Sequence, residues 1–205
     1  MICLGIGGGS GSGKTTLAEA LRASIGPERC TLLSFDDYYR DVSFDEIQKL
    51  PFGYDDPAAL DEPLFLHHVD ALLNQQPIDR PNYDFASHSR IGATRYEPAP
   101  VLIVEGILLL RSSEVRARLT HGIFVRTPDH IRVVRRIARD VEQRGREVRG
   151  VMTQLLRQVL PAHDAHVEPS SSQAGLVLPG DQPVRHLVEA ALAHLGLHAD
   201  RTSLH

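Results

Sequence analysis

The first 27 residues leave few architectures open. ICLGI is a short apolar run suited to a strand buried on both faces, GGGSGSG breaks it, and KTTLAEALRASIG carries a helical period that Gly26 and Pro27 end. A buried strand, a glycine-rich turn and an immediate helix predict the opening βα unit of a parallel sheet. CTLLSF at 30–35 follows that helix closely, so a right-handed crossover and a parallel second strand are expected. VLIV at 101–104, GIFV at 122–125 and GLVLP at 175–179 add three more apolar runs. Together they predict an α/β fold, a doubly wound parallel sheet covered by helices.

Between the second and third of these strands lies a long insertion, residues 40–98, rich in Asp, Pro and aromatics. A helix from 62 to about 74 is expected in it, with Asp61 as N-cap. PIDRPNYDFA and ATRYE flank SHSRIG, which predicts a two-stranded ribbon with Gly92 in the turn. The helix PVRHLVEAALAHLGL is expected to cover the sheet, and the terminal RTSLH to be loose. At 205 residues the chain is expected to form one domain with a sound core. Its 42% hydrophobic and 23% charged residues and net charge of -4 argue against a general nucleic-acid or membrane binder and favour work on small molecules. Cys3 and Cys30 are too few for a disulfide framework or zinc cluster. With no basic leader, no apolar h-region and no apolar window of about 18 residues, a cytoplasmic location is expected.

Residues 8–15, GGSGSGKT, match the phosphate-loop pattern G-x-x-x-x-G-K-[ST] in the strand-to-helix context that pattern requires. Gly8, Gly9, Ser10, Gly11, Ser12 and Gly13 let backbone N–H groups converge on phosphate oxygens at the positive end of a helix. Lys14 adds a point charge, and Thr15, followed by Thr16, offers a hydroxyl to magnesium. A merely flexible Gly/Ser loop is the bland alternative. Lys14 is one of two lysines against twenty arginines, so background composition does not account for it. The other, Lys49 in QKLP, cannot supply a guanine-specific Asn/Thr-Lys-x-Asp signature, which disfavours a regulatory GTPase.

The second strand runs into SFDDYYRD, which places Asp36 and Asp37 at the carboxyl edge of the sheet, where ligands of open α/β folds bind. A carboxylate there can take the proton of an attacking hydroxyl; the alternative is a solvated pair opening a turn. Glu105 interrupts the otherwise apolar VLIVEGILLL and suits a magnesium-holding carboxylate, against a surface Glu at a strand end. In IRVVRRIARDVEQRGR, Arg132, Arg135, Arg136 and Arg139 share one helical face, with Val134, Ile137, Ala138 and Val141 on the opposite, apolar one; Arg144 and Arg146 extend the charge. Alone this is an exposed basic face paired with surface acids such as Asp140 and Glu142. Beside a phosphate loop it reads as a lid closing on phosphates. In PNYDFASHSR, Tyr83 and Phe85 point the same way in an extended segment and suit a platform for an aromatic ring, Asp84 facing away; His88 can donate or accept, although a lone His is most often a surface residue.

These segments in this order resemble the uridine-cytidine kinase family of P-loop kinases. GGSGSGKTT, SFDDYYRD, YDDPAALD, PNYDFASHSR, VLIVEGILLL and RRIARDVEQRGR with Gln154 carry the likeness over roughly residues 4–180; YDDPAALD with YDFASHSR is its specific part. The resemblance implies a single P-loop kinase domain over 1–205, a substrate-binding insertion at 40–98 and a lid at 131–150. It implies transfer of phosphate from ATP, with magnesium, to the 5′-hydroxyl of uridine or cytidine. Asp36 would be the base, with Tyr39 lining the same site; Asp55 and Arg136 would hold the ribose hydroxyls. Tyr83 and His88 would contact the base edge, Tyr54 and Phe85 its face, and Arg146 and Gln154 would complete the pocket. Arg139 and Arg144 would meet ATP phosphates, and Thr15, Asp36 and Glu105 would arrange magnesium. A homo-oligomer is implied, and GTP stays open as a donor. Related kinases of pantothenate, nicotinamide riboside or phosphoribulose, and a regulator that binds nucleotide without transfer, are the rivals. One departure is PSSSQAGLVLPG, which lacks the family's lysines and its Ala-Asp pair, so contacts to the adenine side are left open.

Overall fold

A strand apolar on both faces has to be covered on both faces, and the chain does this with two helical layers. The computed structural model describes residues 1–85 and 87–197; the terminal RTSLH lies outside them. β1 (Ile2–Gly7), β2 (Cys30–Ser34), β5 (Val101–Gly106), β6 (His121–Arg126) and β7 (Leu176–Pro179) form a parallel sheet in the order β2-β5-β1-β6-β7. β3 (Ile78–Asp84) and β4 (Ser89–Tyr96) pair antiparallel as a separate ribbon. Along β5 the side chains alternate. Val101 and Ile103 enter the core under α1 (Lys14–Ile25) and α8 (Val184–His194), while Leu102 and Val104 enter the core under α3 (Glu62–Leu73) and the ribbon. The doubly wound reading of the sequence therefore holds.

Parallel strands bring all their carboxyl ends to one edge, so the segments after β1, β2, β5 and β6 meet there. Register completes the placement: Glu105 on β5 stands opposite Ser34 of β2 on one side and Ile6 of β1 on the other.

Three elements differ from expectation. Gly92 lies inside β4. There Ile91 and Gly92 face the single Asn82 across a register shift between Pro81 and Tyr83, and the positive φ of 141° at Gly92 serves this bulge. The chain instead reverses between the paired Asp84 and Ser89, where Asp84 accepts hydrogen bonds from the Ser87 amide (3.0 Å) and hydroxyl (2.6 Å) and His88 takes φ 56°. Residues 40–52, featureless as sequence, hold α2 (Phe44–Gln48) behind a Ser43–Glu46 capping box.

The third difference is α5 (Asp129–Glu142), which leaves part of its apolar face exposed while part of its arginine face is buried. Arg132, Arg136 and Asp140 are buried, whereas Val134 is 66% exposed and Ala138 is exposed. The arginines win the interior because partners await them there: Arg136 donates to Ser10 Oγ (2.7 Å), Arg132 to Ser10 O (3.4 Å). Ile137 and Val133 find only a small cluster, Val151, Leu155 and Val159. That cluster belongs to a helical stretch the sequence reading did not anticipate. It runs through α6 (Val148–Gln154) and α7 (Leu160–Ala162), with wide π turns after each; the short helix Ser113–Arg116 earlier in the chain is α4.

Candidate active site

The phosphate loop is built to leave its donors free. Gly13 caps α1 with no side-chain hydrogen bond to the first turn, so no protein group claims those amides through the cap. Gly11 takes φ 78°, and a Cβ there would stand 2.5 Å from the Arg132 carbonyl oxygen, so glycine is required twice over. Thr127, just past β6, donates to the Ser12 carbonyl (2.9 Å) and ties the loop to the sheet edge.

Lys14 is only 6% exposed and faces Glu105 Oε2 at 3.7 Å. Glu105 Oε1 accepts hydrogen bonds from Ser34 Oγ (2.9 Å) and Thr15 Oγ1 (3.4 Å). Burial pushes the Glu105 carboxyl up; Lys14 opposes this, and nearby Asp36 adds to it. Asp36 follows β2 in a tight turn over Phe35–Tyr38, and its Oδ1 is buried without a hydrogen-bond partner. Thr15, Asp36 and Glu105 all border one cleft, so a hydroxyl, an unpartnered carboxylate oxygen and a second carboxylate face a common space. That donor set suits magnesium, a hard cation that keeps several waters and leans on few protein oxygens plus substrate phosphates.

Two cavities meet at this point. The outer cleft, about 740 Å³, is bordered by Thr15, Thr16, Glu105, Arg135, Gly180 and Gln182. The inner pocket is bordered by Tyr39, Tyr54, Asp55, His88, Arg136, Arg146 and Gln154. Lys14, Asp36, Phe85, Arg139 and Arg144 border both.

Aromatic rings wall the inner pocket. Tyr39 lies edge-on to Tyr54 (5.4 Å) and to Phe85 (6.0 Å), and the His88 ring stacks on Tyr54 at 5.0 Å. Burial, with help from Arg146, holds His88 below the ordinary imidazole range, so the neutral ring can both donate and accept. Its Nδ1 is buried and unpartnered. Tyr83 stands behind this wall: it is 8% exposed, packs on Tyr39 (5.2 Å) and Phe85 (5.3 Å), and borders neither cavity. Asp55 sits at the floor, its carboxyl pushed up to about 6 by burial against the pull of Arg136.

The turn that carries Asp36 is held by two arginines of the ribbon. Arg80 bonds Asp37 (2.5 Å), and Arg90 donates to the Tyr39 carbonyl (3.0 Å) and bonds Asp61 (3.1 Å). Asp140, placed on α5 one helical turn after Arg136, gathers Arg136, Arg139, Arg144 and Arg146.

The structure thus brings the sequence-derived candidates of the phosphate loop, the Asp36 turn, β5, the ribbon tip and the lid to one place, with Tyr83 one layer back. Residues that sequence reasoning missed are Arg80, Arg90, Asp140 as the partner of four arginines, and Gly180 with Gln182 in the lining of the outer cleft. Asp140 had a signal, its i+4 spacing from Arg136; the ribbon arginines pair with distant Asp37 and Asp61, and spacing carries no trace of that. Of the segment PSSSQAGLVLPG, Ser171 accepts from Arg126 (2.8 Å) and the final Gly180 borders the outer cleft, while residues 169–175 do not.

The chain is similar to known proteins over most of its length. Residues 3–185 match the model of the Phosphoribulokinase / Uridine kinase family. A uridine kinase of Chloroflexus aurantiacus is 40% identical over 181 residues, covering 87% of each chain. A uridine kinase of Halobacterium salinarum is 42% identical over 180 residues, 86% of this chain and 79% of that one. Among solved structures, phosphoribulokinase from Rhodobacter spheroides superposes with a TM-score of 0.62 at 15% identity over 89% of this chain and 73% of that one, which speaks for the fold alone.

Proposed function

The chain belongs to the phosphoribulokinase / uridine kinase family, and on that premise we propose that it is a nucleoside kinase that transfers the terminal phosphoryl group of ATP to the 5′-hydroxyl of uridine or cytidine. The observation that carries this is the meeting of the two cavities. Lys14 of the phosphate loop and the unpartnered carboxylate of Asp36 border the donor cleft and an aromatic-walled pocket alike. A donor phosphate and an acceptor hydroxyl placed from opposite sides would come together at Asp36.

In this reading the insertion over 40–98 supplies the acceptor site and residues 131–150 the lid. Asp55 and Arg136 take the ribose hydroxyls, Phe85 and Tyr54 pack on the base, and His88 reads its edge with Arg146 and Gln154. Tyr83 supports the wall from behind. Asp36 accepts the proton of the 5′-hydroxyl as its oxygen forms the new bond to phosphorus and the bond from phosphorus to the ADP oxygen breaks. Lys14, Arg139 and Arg144 stabilise the negative charge on the group in transfer, and the closed lid keeps water from competing as acceptor. Thr15, Asp36 and Glu105 would hold magnesium, which draws charge from the phosphate oxygens when bound. Pantothenate or a sugar phosphate has no aromatic ring to set against Tyr39, Tyr54, Phe85 and His88, which is why the related alcohol kinases fit less well.

The same reading includes a homo-oligomer in the cytoplasm and leaves GTP as a second donor to be measured. Among the described residues no helix is long and apolar enough to cross a membrane.

Purified protein with magnesium-ATP and a panel of uridine, cytidine, purine nucleosides, pantothenate and ribulose 5-phosphate tests the proposal. UMP or CMP should appear with equimolar ADP. ATP binding without any phosphorylated pyrimidine nucleoside would sink it.

A further inference from the structure

Asp140 has no exposed surface, yet four guanidinium groups converge on its carboxylate: Arg136 at 2.7 Å, Arg139 at 3.1 Å, Arg144 at 3.4 Å and Arg146 at 3.5 Å. Its backbone carbonyl also accepts from the Arg146 amide at 3.0 Å, closing the loop that joins α5 to α6. We propose that Asp140 is the positioning residue of the lid, a built-in anion that takes the place of donor phosphate and holds these four arginines in one bundle across both cavities.

Asp140 itself borders neither cavity. Every effect it has on the site passes through the arginines, and these are divided between the two sides. Arg139 and Arg144 border both cavities, while Arg136 and Arg146 border only the inner pocket. Arg144 lies over the Phe85 ring at 4.6 Å and Arg146 donates to Gln154 at 3.2 Å, so the bundle also fixes part of the acceptor wall. Four like charges this close repel unless an anion sits among them. Burial together with Arg139 pulls the Arg144 guanidinium down to about 10, a sign of that crowding.

The arrangement has a consequence for binding. When phosphates enter, Arg139 and Arg144 exchange a protein carboxylate for phosphate oxygens with little change of charge around them. Arg136 and Arg146 keep Asp140, so occupancy on the donor side alters the acceptor side through one shared carboxylate. Asp140 therefore couples the two sites. This coupling rests on the kinase reading above; the anion-like role of Asp140 does not.

Asp140→Asn keeps the shape and removes the charge. Two measurements on the full chain separate the proposal from a structural role. In the first, which needs no turnover, thermal unfolding is followed in sodium sulfate and in sodium chloride of matched ionic strength. Sulfate should raise the midpoint of the Asn variant clearly more than that of the parent, because an anion site has been left open. In the second, the KM for magnesium-ATP should rise about tenfold with a smaller change in kcat, and a non-hydrolysable ATP analogue should no longer tighten uridine binding. Equal sulfate responses in variant and parent overturn the proposal, whatever happens to activity. If Asp140→Asn does not fold, adding Arg139→Gln and Arg144→Gln should restore folding by relieving the excess charge, and failure to do so overturns it equally.

Discussion

Replacing Asp55 by Asn should weaken the enzyme and strengthen the fold at the same time. The carboxyl is raised from its ordinary 3.8 to about 6, chiefly by burial, with Arg136 opposing and Asp36 adding to the rise. The native state therefore holds this proton more tightly than the unfolded chain does. Stability contributed by the protonated form is complete below about pH 4 and is lost as pH rises through about 6. A rise of that size is worth about 3 kcal/mol, at about 1.4 kcal/mol per pH unit, so above pH 7 the ionised side chain costs the fold about that much. Arg136 does not lose its pairing in Asp55→Asn, since it keeps Asp140 at 2.7 Å and Ser10 Oγ at 2.7 Å. With the amide still a buried polar group, we expect a gain of about 1–3 kcal/mol at pH 8, seen as a midpoint higher by roughly 3–8 °C, and little gain near pH 4. Function should move the other way. Loss of charge-assisted hydrogen bonds to two ribose hydroxyls costs about 2–4 kcal/mol, roughly 30- to 1,000-fold in kcat/KM for uridine. In the parent, kcat/KM for uridine should climb through about pH 6 and level off; in Asp55→Asn that step should vanish. Differential scanning calorimetry and initial rates over pH 4.5–8.5, an interval of about four units chosen to bracket the transition, read both effects. An Asn variant less stable at pH 8, or one that keeps the step, refutes the assignment of a strained, ionised Asp55.

Other substitutions test the remaining parts of the site. Asp36→Asn should lower kcat by about 10²- to 10⁴-fold while the ATP dissociation constant measured by calorimetry stays within about threefold of the parent; undiminished turnover would remove Asp36 as base. His88→Ala should raise the uridine KM by about 10- to 100-fold and leave the ATP KM nearly unchanged, and equal losses on both sides would make the ribbon tip a structural element only. Gly180→Ala would drive a Cβ into Thr127 Oγ1 and the Ser12 carbonyl, so the phosphate loop has to shift. We expect a raised ATP KM and a loss of about 1–3 kcal/mol, and a variant like the parent in both would show that the loop yields freely.

What could be read without coordinates followed how local each signal is. The phosphate loop was legible because strand, glycines, Lys14 and helix are contiguous, and the sheet because five apolar runs each need cover on both faces. The Asp36 turn and Glu105 were legible as polar interruptions at strand ends. The orientation of α5 was legible only in part, since its arginine face reads as an exposed basic surface alone and as a lid beside a phosphate loop. Amphipathic reasoning assigns the apolar face to the core, but burial here was decided by partners on the phosphate loop, Ser10 above all, more than a hundred residues away. The bulge at Gly92 escaped for a related reason: a positive φ suits a turn and a bulge alike, and only the pairing of Pro81 with Ala93 and of Tyr83 with Arg90 tells them apart. The staples from Arg80 to Asp37 and from Arg90 to Asp61 span 43 and 29 residues, and nothing in either local pattern announces them.

The skew toward arginine, noticed first as a matter of composition, acquires a physical meaning at the lid. Lys14 sits where a compact charge suffices, buried and paired with Glu105 at 3.7 Å. The lid positions ask for more. Arg144 has to sit over the Phe85 ring and also reach Asp140, and Arg136 has to serve Asp140 and Ser10 Oγ with separate nitrogens. A lysine keeps the charge at either position but has neither the planar face nor the second nitrogen. It would also be more strongly hydrated, and hydration works against a charge held in the buried setting of Arg136. The arginines thus combine two jobs that a lysine would have to divide: in the proposed reaction they would carry charge to the phosphates, and they join the phosphate loop and Asp140 to the aromatic wall.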